Sequence, residues 1–197
     1  MNTKIIAGLV SIAAVAAVAG GATIAYFSDV ETSTANTFAA GTLALDFDGT
    51  TPATFAVSNI APGSFATKYW KLENNGSLDG NIDIANVAKA GTEDGCKGGE
   101  LTDDSDCATD TIGELPASMD VKLFVDVDGD GLDSDDIVIY DGKLGSINAE
   151  FDTDLLIGDG EEKTIGLYWI VPTSVDNKIQ GDGATLSLNF VLDQVAD

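Results

Sequence analysis

The chain has 197 residues, with 33 Asp plus Glu against nine basic residues, a formal net charge of −24 and no His. That charge repels nucleic-acid phosphates and anionic lipid headgroups, so no nucleic acid is expected as a partner. Without an imidazole there is no Ser-His-Asp triad, no HExxH centre and no ordinary catalytic zinc site; nothing in the carboxylate spacing singles out an acid/base pair, and the chain reads as no enzyme.

Residues 1–25, MNTKIIAGLVSIAAVAAVAGGATIA, place Lys4 before an apolar run, then Gly20-Gly21 and further small residues. This is the order of an export signal, with Thr23 and Ala25 suited to a signal peptidase that cuts between Ala25 and Tyr26. A retained anchor is the alternative, since the apolar stretch nearly spans a bilayer. Both readings put the rest of the chain outside the membrane, as a secreted, extracellular or cell-surface protein. Residues 26–40, YFSDVETSTANTFAA, begin apolar, become Thr-rich, and have no hairpin partner nearby. An extended arm of this kind needs a sheet edge for its backbone donors and acceptors. It either pairs within its own domain or adds a strand to a neighbouring subunit.

Residues 41–197 are expected to form one β-sandwich domain. TLALDF, TFAVSNI, KYWKLEN, NIDIANV, VKLFVDV, DIVIYDG, TIGLYWIV and TLSLNFVL alternate with period two and are separated by Gly, Asn, Asp and Pro turns. The pattern predicts an all-β, jelly-roll-like two-sheet β-sandwich preceded by the extended segment. It points Leu43, Leu45, Phe47, Phe55, Val57, Leu123, Val125, Ile165, Leu167, Trp169, Leu186, Leu188 and Phe190 inward. One short helix is expected within residues 144–156. Cys96 and Cys107 share a Gly/Asp-rich stretch and lack CxxC spacing, so in an oxidising compartment they read as one local disulfide. In the chain-entropy picture such a bridge contributes about 2–3 kcal/mol.

Residues 126–136, DVDGDGLDSDD, lie between two predicted strands. Asp126, Asp128 and Asp130 occupy the first, third and fifth positions of a calcium loop, with Gly131 at the turn. Leu132 offers its carbonyl and Ser134 a water-mediated contact. Ile137 stands where an EF-hand needs Glu, so Asp136, or else Asp133 or Asp135, supplies the last carboxylate. Structural Ca2+ here competes with the plainer reading of a solvated acidic hairpin loop.

Three blocks carry a family resemblance. GLVSIAAVAAVAGGATIAYFSDVETSTANTFAAGTLAL resembles the processing region of the TasA, CalY and camelysin proteins, FAVSNIAPGSFATKYWKLENNGSLDGNIDI a second segment, and NKIQGDGATLSLNFVLDQ the closing strand. The stretch around Cys96 and Cys107 and the acidic loop depart from that pattern. The resemblance implies a jelly-roll subunit that polymerises with itself, head to tail, into biofilm-matrix fibres or bundling pili with lateral fibre bundling. It makes residues 26–38 the donor strand, with Tyr26, Phe27, Ser28, Asp29, Val30, Thr37 and Phe38 among its residues. A monomeric secreted adhesin, and a camelysin-like metalloprotease, are the rival functions; the missing His argues against the second.

Overall fold

The structure, a computed structural model, describes residues 41–48 and 52–195. The export signal, the Ala25–Tyr26 junction and the arm over residues 26–40 lie outside the described residues. Among the described residues nine strands follow in chain order: β1 Leu45–Phe47, β2 Ala53–Ser58, β3 Phe65–Asn74, β4 Gly80–Thr92, β5 Asp120–Asp126, β6 Ile137–Lys143, β7 Phe151–Ile157, β8 Glu162–Ile170 and β9 Gly183–Gln194. Two one-turn helices, α1 Glu100–Asp103 and α2 Leu115–Ser118, lie between β4 and β5.

The strands form two antiparallel sheets, one in the order β1-β3-β8-β5-β6 and the other β2-β9-β4-β7. The chain crosses from sheet to sheet at almost every connection, and only β5 and β6 are sequential neighbours within one sheet. This interleaving is the jelly roll that the strand count predicted. It follows from the punctuation between strands. At Ala61-Pro62-Gly63-Ser64 the Ser64 N–H donates to the Ala61 carbonyl at 3.0 Å, and Gly63 sits at φ +88°. Pro before a left-handed Gly is the residue order such a turn demands.

The period-two pattern becomes the core. Phe55, Leu123, Val125, Ile165, Leu167, Trp169, Leu186 and Leu188 are buried, while Leu45, Phe47, Val57 and Phe190 are half-buried and packed against them. Leu43, ahead of β1, is half-buried. Each fully buried large side chain contributes about 1.5–3 kcal/mol, so the contact between the two sheets dominates the stability.

Two details differ from the sequence pattern. The short helix expected within residues 144–156 is only a 3-10 turn at Leu144–Ser146, followed by strand β7. In β7 the half-buried Phe151, Thr153 and Leu155 and the buried Ile157 alternate with exposed Asp152, Asp154 and Leu156. The strand period is there, but Thr153 supplies an inward position with a polar residue; its hydroxyl donates to the Ile82 carbonyl across the sheet. Phe124 is the second. It faces away from the interior occupied by Val121, Leu123 and Val125, yet it is fully buried. It pairs with Gly166 of β8, where an added Cβ would enter the Phe124 ring, and Tyr69 packs edge-on against it at 6.2 Å and 81°. Gly166 is therefore the floor on which an outward aromatic lies.

Asn74 closes one end of the sandwich. It is fully buried; its Nδ2 donates to the carbonyls of Leu78 (2.8 Å) and Ile157 (3.3 Å), and its Oδ1 accepts from the Gly76 N–H (3.0 Å). One side chain thus satisfies three backbone groups of the β3–β4 turn and the end of β7.

Candidate functional site

The first candidate surface is a sheet edge. β1 is three residues long and pairs only with Leu72, Glu73 and Asn74 of the ten-residue β3. Asp48 adds one further bond, its N–H donating to the Lys71 carbonyl at 3.1 Å. Among the described residues nothing pairs with the remaining edge of β3, from Phe65 to Trp70. Phe65 is 66% exposed and Tyr69 40%. Ala66 and Lys68 share the inward face of β3 with buried Trp70 and Leu72, yet both are exposed. The interior side of the sheet is thus open at this end. A charged residue on the inward side of an edge strand is a recognised guard against indiscriminate pairing. Lys71 is tied to Glu162 of β8 at 2.7 Å, whereas Lys68 has no ion pair among the described residues.

The acidic loop predicted for Ca2+ joins β5 to β6 and turns its carboxylates onto its own backbone. Asp126 Oδ1 accepts from the Gly129 N–H (2.8 Å), Asp128 Oδ1 from Asp130 (3.3 Å) and Asp133 Oδ1 from Asp135 (3.0 Å). Asp136 accepts from Val127 (3.0 Å) and Asp133 (2.9 Å). Gly129 and Gly131, at φ +83° and +102°, let the loop curl. Leu132 is half-buried, and Ser134 is exposed with Asp128 and Asp130. The charge of Asp128, then that of Asp133, holds the Asp130 carboxyl above its usual range. The two places where three carboxylates converge within 4.8 Å among the described residues both lie elsewhere.

They lie beside the disulfide. Cys96 and Cys107 are bonded as the sequence suggested, with Cα atoms 5.0 Å apart, and Cys107 is buried. Two carboxylates of the bridged loop itself, Glu100 opening α1 and Asp104 closing it, meet Glu93, just after β4, Glu114, before α2, and Asp182, just before β9. Side-chain oxygens of Glu93, Glu100 and Asp182 lie within 4.8 Å of one another, as do those of Glu93, Asp104 and Glu114. Glu100 and Asp182 are fully buried. Burial, reinforced by the charges of Glu93 and Glu114, pushes the Asp182 carboxyl up to about 7, although the Leu115 N–H opposes the shift. Burial also raises the Glu114 carboxyl. No local spacing in the sequence announces this group, because its members span residues 93 to 182. The density of acids around the two Cys is the only sequence trace.

The family model described as camelysin metallo-endopeptidase matches residues 1–104 of the chain. The major biofilm matrix component of Bacillus subtilis (strain 168) is 42% identical over 78 residues, which cover 40% of this chain and 29% of that relative. The family description names a metal-dependent peptidase, and the residues present do not fit a catalytic zinc. The chain has no His, both Cys are joined in the disulfide, and the converging side chains are all carboxylates. Catalytic zinc centres draw on nitrogen or sulfur ligands that this chain lacks. With more than half of its length matched by the family model, and with a jelly roll behind the resemblance of its three sequence blocks, the chain belongs to the camelysin family, the TasA-, CalY- and camelysin-like proteins.

Proposed function

We propose that the chain is a non-enzymatic, secreted subunit of an extracellular matrix fibre, assembled head to tail by donor-strand complementation. The observation that carries this reading is the edge of β3 from Phe65 to Trp70, which has no partner strand among the described residues and exposes Phe65 and Tyr69. An incoming strand gains main-chain hydrogen bonds along such an edge and buries its apolar side chains. Residues 26–38, with Tyr26, Phe27, Val30 and Phe38 as apolar contacts, are the donor. Extended, they reach about 43 Å, against about 20 Å for the open edge, so the donor has length to spare between subunits. Asp29 and Glu31 make this segment acidic, which suits an edge bearing Lys68.

The match to a relative named as a biofilm matrix component supports an extracellular matrix role. Export through a signal peptidase at Ala25–Tyr26 frees the arm in this scheme; a segment held as an export helix is not available as a strand. Because donor and acceptor are different surfaces, the contact does not close on itself and filaments result. Lateral bundling then brings together strongly acidic surfaces, and Ca2+ in the loop of Asp126, Asp128, Asp130, Leu132, Ser134 and Asp136 is proposed to relieve the repulsion that lifts Asp130.

Electron microscopy of the secreted protein, with and without residues 26–38, tests the reading. Filaments from the full protein and only monomers from the deletion are expected. Filaments of equal abundance from the deletion overturn donor-strand assembly, and a monodisperse full protein favours a monomeric adhesin.

A further inference from the structure

The five carboxylates in and around the disulfide loop have an arrangement that solvation of an acidic surface does not explain. Glu100 and Asp182 are 0% exposed. Six buried oxygens in the group have no hydrogen-bond partner among the described residues: both of Glu93, Glu100 Oε1, Asp104 Oδ2, Glu114 Oε2 and Asp182 Oδ1. The second oxygen of three of these residues is fixed by backbone. The Lys97 N–H donates to Glu100 Oε2 at 2.8 Å, the Leu115 N–H to Asp182 Oδ2 at 3.0 Å, and the Asp106 N–H to Asp104 Oδ1 at 2.9 Å. Each of these carboxylates is therefore held in orientation through one oxygen and presents the other to its neighbours. None of the six ion pairs among the described residues involves any member of the group.

Buried charge without a counter-charge is among the costliest features a fold can carry. Oxygens bound to one calcium ion sit 2.3–2.6 Å from it, so they fall within roughly 5 Å of one another, which matches the 4.8 Å convergence of both triads. Glu93 belongs to both triads, and both of its oxygens are unpartnered. We propose that Glu93, Glu100, Asp104, Glu114 and Asp182 form a buried binding site for a hard divalent cation of the Ca2+ class. The all-oxygen donor set disfavours a thiolate- or imidazole-seeking ion, and its many carboxylates suit Ca2+, whose coordination is variable, better than strictly octahedral Mg2+. The ion ties the end of β4, both short helices and the start of β9 into one corner, at the base of the loop that Cys96 and Cys107 close. This site is separate from the hairpin loop at residues 126–136 and from the edge of β3, and it stands whether or not the chain forms fibres.

The test is calorimetric titration of CaCl2 into secreted protein stripped with EGTA, followed by thermal melts with and without Ca2+. At a hundredfold excess over Kd the melt is expected to rise by roughly 5–10 °C. Asp182→Asn and Glu93→Gln are each expected to weaken Ca2+ binding at least tenfold. Without Ca2+ both variants are expected to melt no lower than the parent, because each removes an unpaired buried charge; Asn keeps the acceptor for the Leu115 N–H. The double variant Asp128→Asn with Asp130→Asn, in the hairpin loop, should retain the response. Absence of both binding heat and a melting shift in the parent overturns the proposal. So does a Ca2+ response that survives intact in Asp182→Asn and Glu93→Gln but disappears in the hairpin-loop variant.

Discussion

Replacing Asn74 with Ala removes the side chain that binds three backbone groups at the β3–β4 turn and the end of β7. A net hydrogen bond contributes about 1 kcal/mol, so the three together contribute about 3 kcal/mol. Gly76 is buried, and its N–H left without a partner adds a desolvation penalty that brings the loss to about 3–5 kcal/mol. For a chain of this size that corresponds to a fall in melting temperature of roughly 6–20 °C. Asn74→Asp keeps the acceptor for Gly76 but replaces the donations to Leu78 and Ile157 with a buried charge facing their carbonyls, so it is expected to lose at least as much as Asn74→Ala. Urea unfolding of the parent and both variants, at a pH where Asp is ionised, reads the loss as a shift in midpoint at constant slope. Loss of less than about 1 kcal/mol in Asn74→Ala would refute the assignment of Asn74 as the residue that closes this end of the sandwich.

Three further outcomes follow from the geometry. Gly166→Ala drives a Cβ into the Phe124 ring and is expected to cost about 1–3 kcal/mol, much of it recovered when Phe124→Leu is added; equal losses in the single and double variants in urea would show that the ring is not the obstacle. Glu161 accepts from the Gly158 N–H at 2.8 Å and pairs with Lys163, which holds its carboxyl below the ordinary 4.5. A lowered folded-state pKa gives a contribution that is present above 4.5 and lost as pH falls through the folded value, so the advantage of the parent over Glu161→Gln should shrink on acidification; a gap that widens in acid contradicts the sign. Lys68→Glu places an acid opposite the acidic arm, and filament growth followed by light scattering should slow severalfold with no loss of fold by circular dichroism; unchanged growth would remove Lys68 from the acceptor edge.

Eight of the nine strands among the described residues are legible as apolar-rich runs between turns, and where one face is buried a period of two appears, as in Thr185 exposed against Leu186 and Leu188 buried along β9. β7 escaped because Thr153 fills an inward position with a hydroxyl, which breaks the apolar signal while still bonding the Ile82 carbonyl. Phe124 escaped for a related reason. Its burial depends on Gly166 of a strand 42 positions further along, and no local window holds both. The acidic hairpin loop was visible as a local motif, since a calcium loop is defined by spacing. The carboxylate group at the disulfide was not, because Glu93 and Asp182 meet only when β4 and β9 pair. The open edge of β3 was likewise hidden. A strand pattern shows which face is apolar, but not how short a neighbouring strand such as β1 will be.

Amide hydrogen exchange along β3, compared between assembled protein and the monomer lacking residues 26–38, tests donor-strand assembly most directly. The alternate N–H groups from Phe65 to Trp70 that point away from β8 should exchange rapidly in the deletion monomer and become strongly protected in the filament. Equal exchange of these amides in the two samples, with filaments present, would contradict a donor strand on this edge.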